Sequence, residues 1–365
     1  MKFTAQRETL LRPLQAVAGV VERRQTMPIL ANFLLVAKDN QLRVTATDLE
    51  VELVATIDLD VDAPGEITVP GRKLLDICRA LAEGAKVNVS TKADRLVVQS
   101  GRSRFTLSTL SASDFPSIDD IQPQQSLKMS QANCKRLLEK TQFAMAHQDV
   151  RYYLNGLLFD VSDSWVRAVA TDGHRLALCE MPLDGQSPSA QQVIVPRKGV
   201  LELQRLLSDD GDVEIAIGAN HVRIELPNIR FTSKLVDGRF PEYDRVIPAK
   251  TRFSMVAECA DLKKALQRAA ILSNEKYRGI RFGLTDNLLR IQAHNPEQEE
   301  AEEEMEVEYD GEALEIGFNV NYLLDALGCV EADKAEVLLT DANSSCLIQE
   351  PGMENCKYVV MPMRL

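Results

Sequence analysis

No stretch of about 18 consecutive apolar residues occurs anywhere in the 365-residue chain, so no segment reads as a membrane span. The G-x-x-x-x-G-K-[ST] loop is missing too, which removes the usual phosphate cradle of a nucleotide-hydrolysing enzyme. Histidine is scarce: His147, His174, His221 and His294 lie far apart, with no H-E-x-x-H or similar metal spacing. The seven cysteines (78, 134, 179, 259, 329, 346 and 356) are odd in number and scattered, and contain no C-x-x-C pair. That pattern predicts reduced thiols in a cytosol, not a disulfide framework or a zinc cage. Arg7 and Glu8 fall where a secretion signal needs an apolar core, so a cytoplasmic protein is expected. No cofactor and no metal are expected.

What is present is repetition. Leu42-Arg-Val-Thr-Ala-Thr-Asp48 returns as Val166-Arg-Ala-Val-Ala-Thr-Asp172, and a fainter copy, Leu289-Arg-Ile-Gln-Ala-His-Asn295, follows. Val69-Pro70-Gly71-Arg72-Lys73 is echoed by Val195-Pro196-Arg197-Lys198, with Phe318-Asn319-Val320 in the third place. Arg104-Phe105-Thr106 returns as Arg230-Phe231-Thr232, and Phe115-Pro116 as Phe240-Pro241. Landmarks in one register at a domain-sized period dictate the architecture before any local reading. Three domains are expected, over residues 1–122, 126–248 and 250–365, with polar or proline-bearing joints at Asp119–Ser126 and Pro248–Phe253.

Each repeat opens on a helical pattern. Leu10, Leu11, Leu14, Val17 and Val21 mark the first; Leu137, Leu138 and Phe143 the second; Leu262, Leu266 and Ala269 the third. Pro13 would cost the first helix a hydrogen bond unless it sits in the opening turn. Val51 to Val61 alternates as a half-buried strand. Second helices are expected after Pro70, after Pro196 and near Asn319, since proline suits a helix start. Strands around an Ala219-Asn220 turn and their counterparts close each repeat. The class is α+β, with two helices and about eight strands, in two antiparallel sheets, per repeat.

Net charge is −12, but unevenly spread. Expected helices at 7–24, 71–83, 131–149, 196–208, 259–278 and 319–329 hold eighteen Lys and Arg against ten Asp and Glu. Their excess of +8 leaves −20 for the remainder. Helices accept Lys and Arg readily. A shared helical surface would nevertheless be a basic face inside an acidic body, suited to sequence-independent, salt-sensitive phosphate contacts.

The chain resembles the bacterial DNA polymerase III beta subunits, the replicative sliding clamps, in their gammaproteobacterial form. The resemblance covers the whole chain. It is carried by Ala146-His-Gln-Asp-Val-Arg-Tyr-Tyr-Leu-Asn-Gly156, Ala170-Thr-Asp-Gly-His-Arg-Leu176, Thr232-Ser-Lys-Leu-Val-Asp-Gly-Arg-Phe-Pro241 and Ala270-Ile-Leu-Ser-Asn-Glu-Lys276. Asn295-Pro-Glu-Gln-Glu-Glu-Ala-Glu-Glu303 and Tyr358-Val-Val-Met-Pro-Met-Arg-Leu365 complete it. It implies a head-to-tail homodimer: six domains in a ring around double-stranded DNA, held by topology and not by tight contacts. Implied partners are the replicative polymerase alpha subunit, the clamp loader, repair polymerases, ligase and mismatch-repair factors. A membrane is not among them.

By the same resemblance, Arg24, Arg72, Lys73, His147, Gln148, Arg151, Tyr152, Tyr153, Arg197 and Lys198 would contact DNA. His and Gln can bond phosphate oxygens, and exposed tyrosines can stack on unpaired bases; equally, the tyrosines could be core strand residues. A partner-peptide pocket would be lined by Leu154, Thr171, Gly173, His174, Arg175, Leu176, Pro241, Arg245, Val246, Asn319, Tyr322, Asn343, Ser345, Val359, Met361, Pro362, Met363 and Arg364. Leu, Val, Pro and flexible Met make an adaptable apolar seat. Asn343 stands where some relatives have an aliphatic residue. The dimer seam would set Ile271 and Leu272 against Phe105 and Leu107, with Lys73, Arg102 and Arg104 facing Glu297, Glu300 and Glu303. Taken alone, Glu297–Glu308 reads as a solvated acidic strand or loop. The rival readings are a repeat-built scaffold that binds proteins without encircling DNA, and a hydrolase using Asp172 and His174. No third catalytic partner accompanies that pair, so no enzyme is expected.

Overall fold

The computed structural model describes residues 1–21, 27–118, 121–183 and 189–364. The first repeat runs β1 (Lys2–Gln6), α1 (Arg7–Val17), β2 (Asn32–Lys38), β3 (Gln41–Thr47), β4 (Val51–Asp58), a short β5 (Val61–Ala63), β6 (Gly65–Pro70), α2 (Gly71–Ala80), β7 (Lys86–Thr91), β8 (Arg95–Ser100) and β9 (Ser103–Ser108). The second runs β10 (Gln125–Ser130), α3 (Gln131–Glu139), β11 (Gly156–Val161), β12 (Trp165–Thr171), β13 (Arg175–Pro182), β14 (Gln191–Pro196), α4 (Arg197–Leu206), β15 (Asp212–Ile217), β16 (His221–Leu226) and β17 (Ile229–Lys234). The third runs β18 (Phe253–Glu258), α5 (Cys259–Ala270), β19 (Gly279–Thr285), β20 (Leu288–His294), β21 (Glu300–Glu306), β22 (Leu314–Asn319), α6 (Val320–Gly328), β23 (Lys334–Leu339), β24 (Cys346–Gln349) and β25 (Cys356–Val360). Apart from β5, all three follow one plan: strand, helix, four strands, helix, three strands.

Local chemistry explains the elements. Helix α2 starts directly after Pro70 and buries Leu74, Leu75 and Cys78 while exposing Arg72, Lys73, Asp76 and Arg79. Asn319 caps α6, its side-chain oxygen accepting the Asn321 N–H at 2.9 Å. Pro13 lies inside α1, not in its opening turn, and is buried. Packing on the core, with Leu10, Leu14 and Val17 beside it, therefore outweighs the lost hydrogen bond. The alternating run from Val51 breaks after Asp58, and Val61 belongs to the separate β5. Helices α3 and α5 stop at Glu139 and Ala270, well short of the charge-rich spans expected. The six observed helices still hold thirteen Lys and Arg against six Asp and Glu.

Sheets form across repeat boundaries. The order β10-β15-β16-β17-β4-β3-β2-β6 joins the last strands of repeat two to the middle strands of repeat one. The order β14-β11-β12-β13-β25-β24-β23-β18 joins repeats two and three in the same way. A five-stranded sheet, β5-β1-β7-β8-β9, and a four-stranded one, β21-β20-β19-β22, are left over. The chain accordingly divides into two compact units, Met1–Cys134 with Lys198–Leu235, and Lys135–Arg197 with Val236–Leu365. No described helix is long and apolar enough to cross a membrane.

One proximity escapes cysteine spacing. Cys179 and Cys356 face each other across β13 and β25. A separation of 177 residues hides this pairing from any local pattern.

Candidate binding pocket and contact surfaces

The repeated Thr-Asp is a turn device. Thr171 Oγ1 donates to the Arg175 carbonyl at 2.6 Å and accepts the Gly173 N–H at 3.1 Å. The Asp172 carboxylate accepts the N–H groups of His174 and Arg175 at 2.9 and 3.1 Å. Thr47 and Asp48 make the same bonds to Val51, Leu49 and Glu50. Asn295 plays the part in repeat three, accepting the Glu299 N–H at 2.9 Å. Each short polar side chain closes the hairpin by satisfying backbone donors that the turn leaves unpaired. Gly173 has φ +88°, and an added Cβ would lie 3.2 Å from the Arg151 guanidinium.

From this turn Arg175 reaches three ways. Its Nε donates to Asp172 at 3.1 Å, its Nη1 pairs with Asp325 of α6, and its Nη2 donates to the Phe143 carbonyl at 2.9 Å. The guanidinium lies 4.6 Å from the Tyr322 ring centre, and His174 stacks on that same ring at 6.3 Å. Asp172 is therefore committed to holding a turn and an arginine.

Beside the turn lies a cavity of about 200 Å³ lined by Arg151, Tyr153, Leu154, Thr171, Gly173, Arg175, Leu176, Pro241, Tyr243, Val246, Val359 and Met361. Its floor is the β13–β25 junction, where Leu176 opposes Val359. The matching pair at the β4–β17 junction is polar, Glu52 opposite Thr232. There Glu52 accepts the Ile118 N–H at 3.1 Å and ties down the loop after Phe115. Burial pushes the Glu52 carboxyl upward from its ordinary value. Exchanging Glu and Thr for Leu and Val turns a sealed junction into an apolar floor.

The loop from Phe240 to Ile247 forms the other wall and is anchored from beneath. The Tyr243 hydroxyl donates to the buried Asp160 carboxylate, which also accepts Gln192 Nε2 at 3.0 Å. Arg167 Nη1 donates to the same hydroxyl at 3.4 Å. Burial first, and then Asp160, hold the phenol well above its ordinary pKa. Phe240, Tyr243, Leu176 and Val359 belong to one buried cluster with Leu158, Val169 and Ile194, with Tyr153 and Val246 packed against it.

Nine of the eighteen pocket residues expected from the sequence line this cavity: Leu154, Thr171, Gly173, Arg175, Leu176, Pro241, Val246, Val359 and Met361. The other nine are not among its lining residues. Asn319 caps α6, Tyr322 stacks with His174, and exposed Arg245 pairs with Glu242 at 2.7 Å. Asn343 is exposed with its N–H on Asp341, Ser345 and Pro362 are half-buried, and Arg364 is exposed. Met363 donates its N–H to the Gly317 carbonyl at 2.7 Å. Tyr243 was not expected. Tyr153 and Arg151, expected on DNA, lie in the cavity wall.

The expected DNA residues divide. His147, Gln148, Arg151 and Tyr152 sit on an exposed loop, with Tyr152 74% exposed. Arg151 grips Asp149 at 2.8 and 3.0 Å, and this pairing holds the Asp149 carboxyl down at about 2. Lys73 is exposed, whereas Arg72 donates to the Val21 carbonyl at 3.0 Å and Arg197 to that of Met145 at 3.3 Å. Lys198 pairs with Asp48 and donates to the Val20 carbonyl at 3.3 Å, so much of its charge is already answered. Arg24 lies outside the described residues.

On the expected seam, Ile271 is 75% exposed, Leu272, Phe105 and Leu107 are half-buried, and Arg102, Arg104, Glu297 and Glu300 are exposed. Glu303 is already engaged within its own chain, bridging Arg268 at 2.6 Å.

Family models for the DNA polymerase III beta subunit match end to end: the N-terminal domain over residues 1–119, the central domain over 128–242 and the C-terminal domain over 244–364. The chain belongs to that family. It is 56% identical to the beta sliding clamp of Pseudomonas putida and 54% identical to that of Escherichia coli, each over the full length of both chains. Among solved structures it is similar to the Pseudomonas aeruginosa sliding clamp bound to griselimycin, with a TM-score of 0.98 at 54% identity over all of both chains. A Caulobacter crescentus sliding clamp, 41% identical and matched over all of both chains, gives a TM-score of 0.94. Three tandem clamp repeats of α+β type are thus the fold of this sliding-clamp chain.

Proposed function

We propose that the chain is a processivity clamp, a binding device with no catalytic step. Two copies, each of three clamp domains over 1–122, 126–248 and 250–365, close head to tail around duplex DNA in the cytoplasm. The pocket beside Gly173 receives apolar segments of the replicative polymerase alpha subunit, the clamp loader, repair polymerases, ligase and mismatch-repair factors.

The ring reading rests on a pairing rule obeyed twice inside the chain. The third strand of one repeat's middle group pairs antiparallel with the last strand of the next repeat: β4 with β17, then β13 with β25. Among the described residues, β21 and β9 hold the corresponding places without such a partner. Applying the rule once more pairs β21 of one copy with β9 of another, and two identical seams close the pair. A long unpaired edge is a template for such association. The chemistry agrees, since β21 carries five glutamates while Arg102 and Arg104 border or occupy β9. Phe105 and Leu107 supply the apolar centre for Ile271 and Leu272.

DNA contact is supported by the basic excess on the helices within an acidic chain, and by the exposed loop at His147–Tyr152. Such contacts hold phosphates without reading bases, which permits sliding. Against catalysis stands the commitment of Asp172 to its turn and to Arg175.

The test is topological. Loaded by a clamp loader with ATP onto nicked circular plasmid, the protein is expected to stay with the circle through gel filtration. Cutting that circle once should release it. Retention on the cut DNA, or no retention on the circle, would refute encirclement; a protein-binding scaffold predicts the latter.

A further inference from the structure

We infer that Cys179 and Cys356 form a redox-responsive bridge that sets how firmly the two strands flooring the pocket are held together, and thereby how tightly the pocket binds. The inference rests on the pocket reading proposed above and names its regulation.

The two residues are directly opposed across the β13–β25 junction, with Cα atoms 4.1 Å apart. Glu180 N–H donates to the Asn355 carbonyl at 2.7 Å, and Met361 N–H to that of His174 at 2.9 Å. In this register Cys179 and Cys356 occupy a non-hydrogen-bonded pair, the type that brings facing side chains closest. Three residues further along the same strands, Leu176 and Val359 line the cavity, and Met361 lies just beyond. A bridge at this point staples repeat two to repeat three along the seam on which the pocket is built. It also pins the start of β25, which follows the exposed turn Pro351–Glu354.

Among the seven cysteines this pair is set apart. Cys78, Cys134, Cys259 and Cys346 are buried and single. Burial pushes the Cys78 and Cys329 thiols up to about 11, and those of Cys134 and Cys346 up to about 12, which keeps them protonated and unreactive. Cys356 is only half-buried, so an exchange partner can reach it, whereas Cys179 is fully buried and reacts from within. The oxidant is a low-molecular-weight disulfide. The Cys356 thiolate attacks one of its sulfurs and expels a thiol, leaving a mixed disulfide. The Cys179 thiolate then attacks the Cys356 sulfur and expels the second thiol. Two electrons pass to the oxidant, and the two cysteine protons leave on the released thiols. Excess thiol reverses both steps.

Holding the floor strands in one register removes part of the ordering that a bound ligand must otherwise impose. The oxidised chain should therefore bind about fivefold more tightly than the reduced one.

The experiment uses the full-length protein equilibrated in oxidised or reduced glutathione. The thiols are counted by alkylation and intact mass, and binding is measured by calorimetry with griselimycin as probe. Expected are a loss of two alkylatable thiols on oxidation, about fivefold tighter binding, and Cys356→Ala protein that behaves like the reduced chain in both buffers. If both thiols stay alkylatable in oxidised glutathione, the bridge is overturned. Equal affinity in the two states overturns the coupling alone. No binding in either state defeats the pocket reading and takes the coupling with it.

Discussion

Replacing both Ile271 and Leu272 with alanine should convert the assembly to monomers. Ile271 is 75% exposed on the single chain and so is free to be covered by a second copy. Truncation removes about 1–2 kcal/mol per side chain. A ring with two identical seams suffers each loss twice, so the doubly substituted chain should lose about 4–8 kcal/mol of association, at least a thousandfold in Kd. Charge reversal at Arg102 or Arg104 should do less, because exposed ion pairs contribute only about 0–1 kcal/mol each. Sedimentation velocity at micromolar protein reads the outcome directly. An unchanged dimer in the doubly substituted protein would place the association surface elsewhere.

The second large effect is expected at Arg175. Its side chain is 13% exposed and all three of its nitrogens are engaged, with Asp172, Asp325 and the Phe143 carbonyl. Alanine here takes one partner from Asp172, which keeps its two backbone N–H bonds, leaves the half-exposed Asp325 to solvent, removes the donor to the Phe143 carbonyl and empties the space over Tyr322. Breaking a partly buried network of this kind costs about 1–3 kcal/mol. The one tryptophan, Trp165 on β12, lies in the same compact unit and reports its unfolding. The urea midpoint read by its fluorescence should fall by about 1 M. Arg175→Lys should recover little, because an ammonium cannot span three acceptors in a plane. A wild-type midpoint in Arg175→Ala would mean that the network contributes nothing.

Much of this architecture is legible in the sequence because it is repeated. Pro70, Pro196 and Asn319 mark helix starts that the structure keeps, and the recurring Leu-Arg-Val-Thr-Ala-Thr-Asp pattern marks a strand and its turn. Strand alternation around Ala219-Asn220 likewise survives as β15 and β16. Pairing between distant strands was not legible, since nothing local to Leu53 or Phe231 announces that they oppose each other across the β4–β17 junction. For the same reason, Cys179 and Cys356 look unrelated until their register is known. Helix ends were overrun at 140–149 and 271–278, where charged and polar residues mimic a continuing amphipathic pattern but the backbone turns away. Tyr153 carries two signals at once, an exposed aromatic beside a basic residue and an apolar wall, and only its packing separates them. Tyr243 left a faint signal, a tyrosine close behind Phe240-Pro241, but its partner Asp160 lies 83 residues away.

Small-angle X-ray scattering on the purified protein, with absolute mass calibration, tests the central claim most directly. A closed pair predicts twice the 40.6 kDa chain mass and a distance distribution with the broad, shifted maximum of a hollow ring. A particle of chain mass, or a solid one of twice that mass whose interior could not admit a duplex, would contradict it.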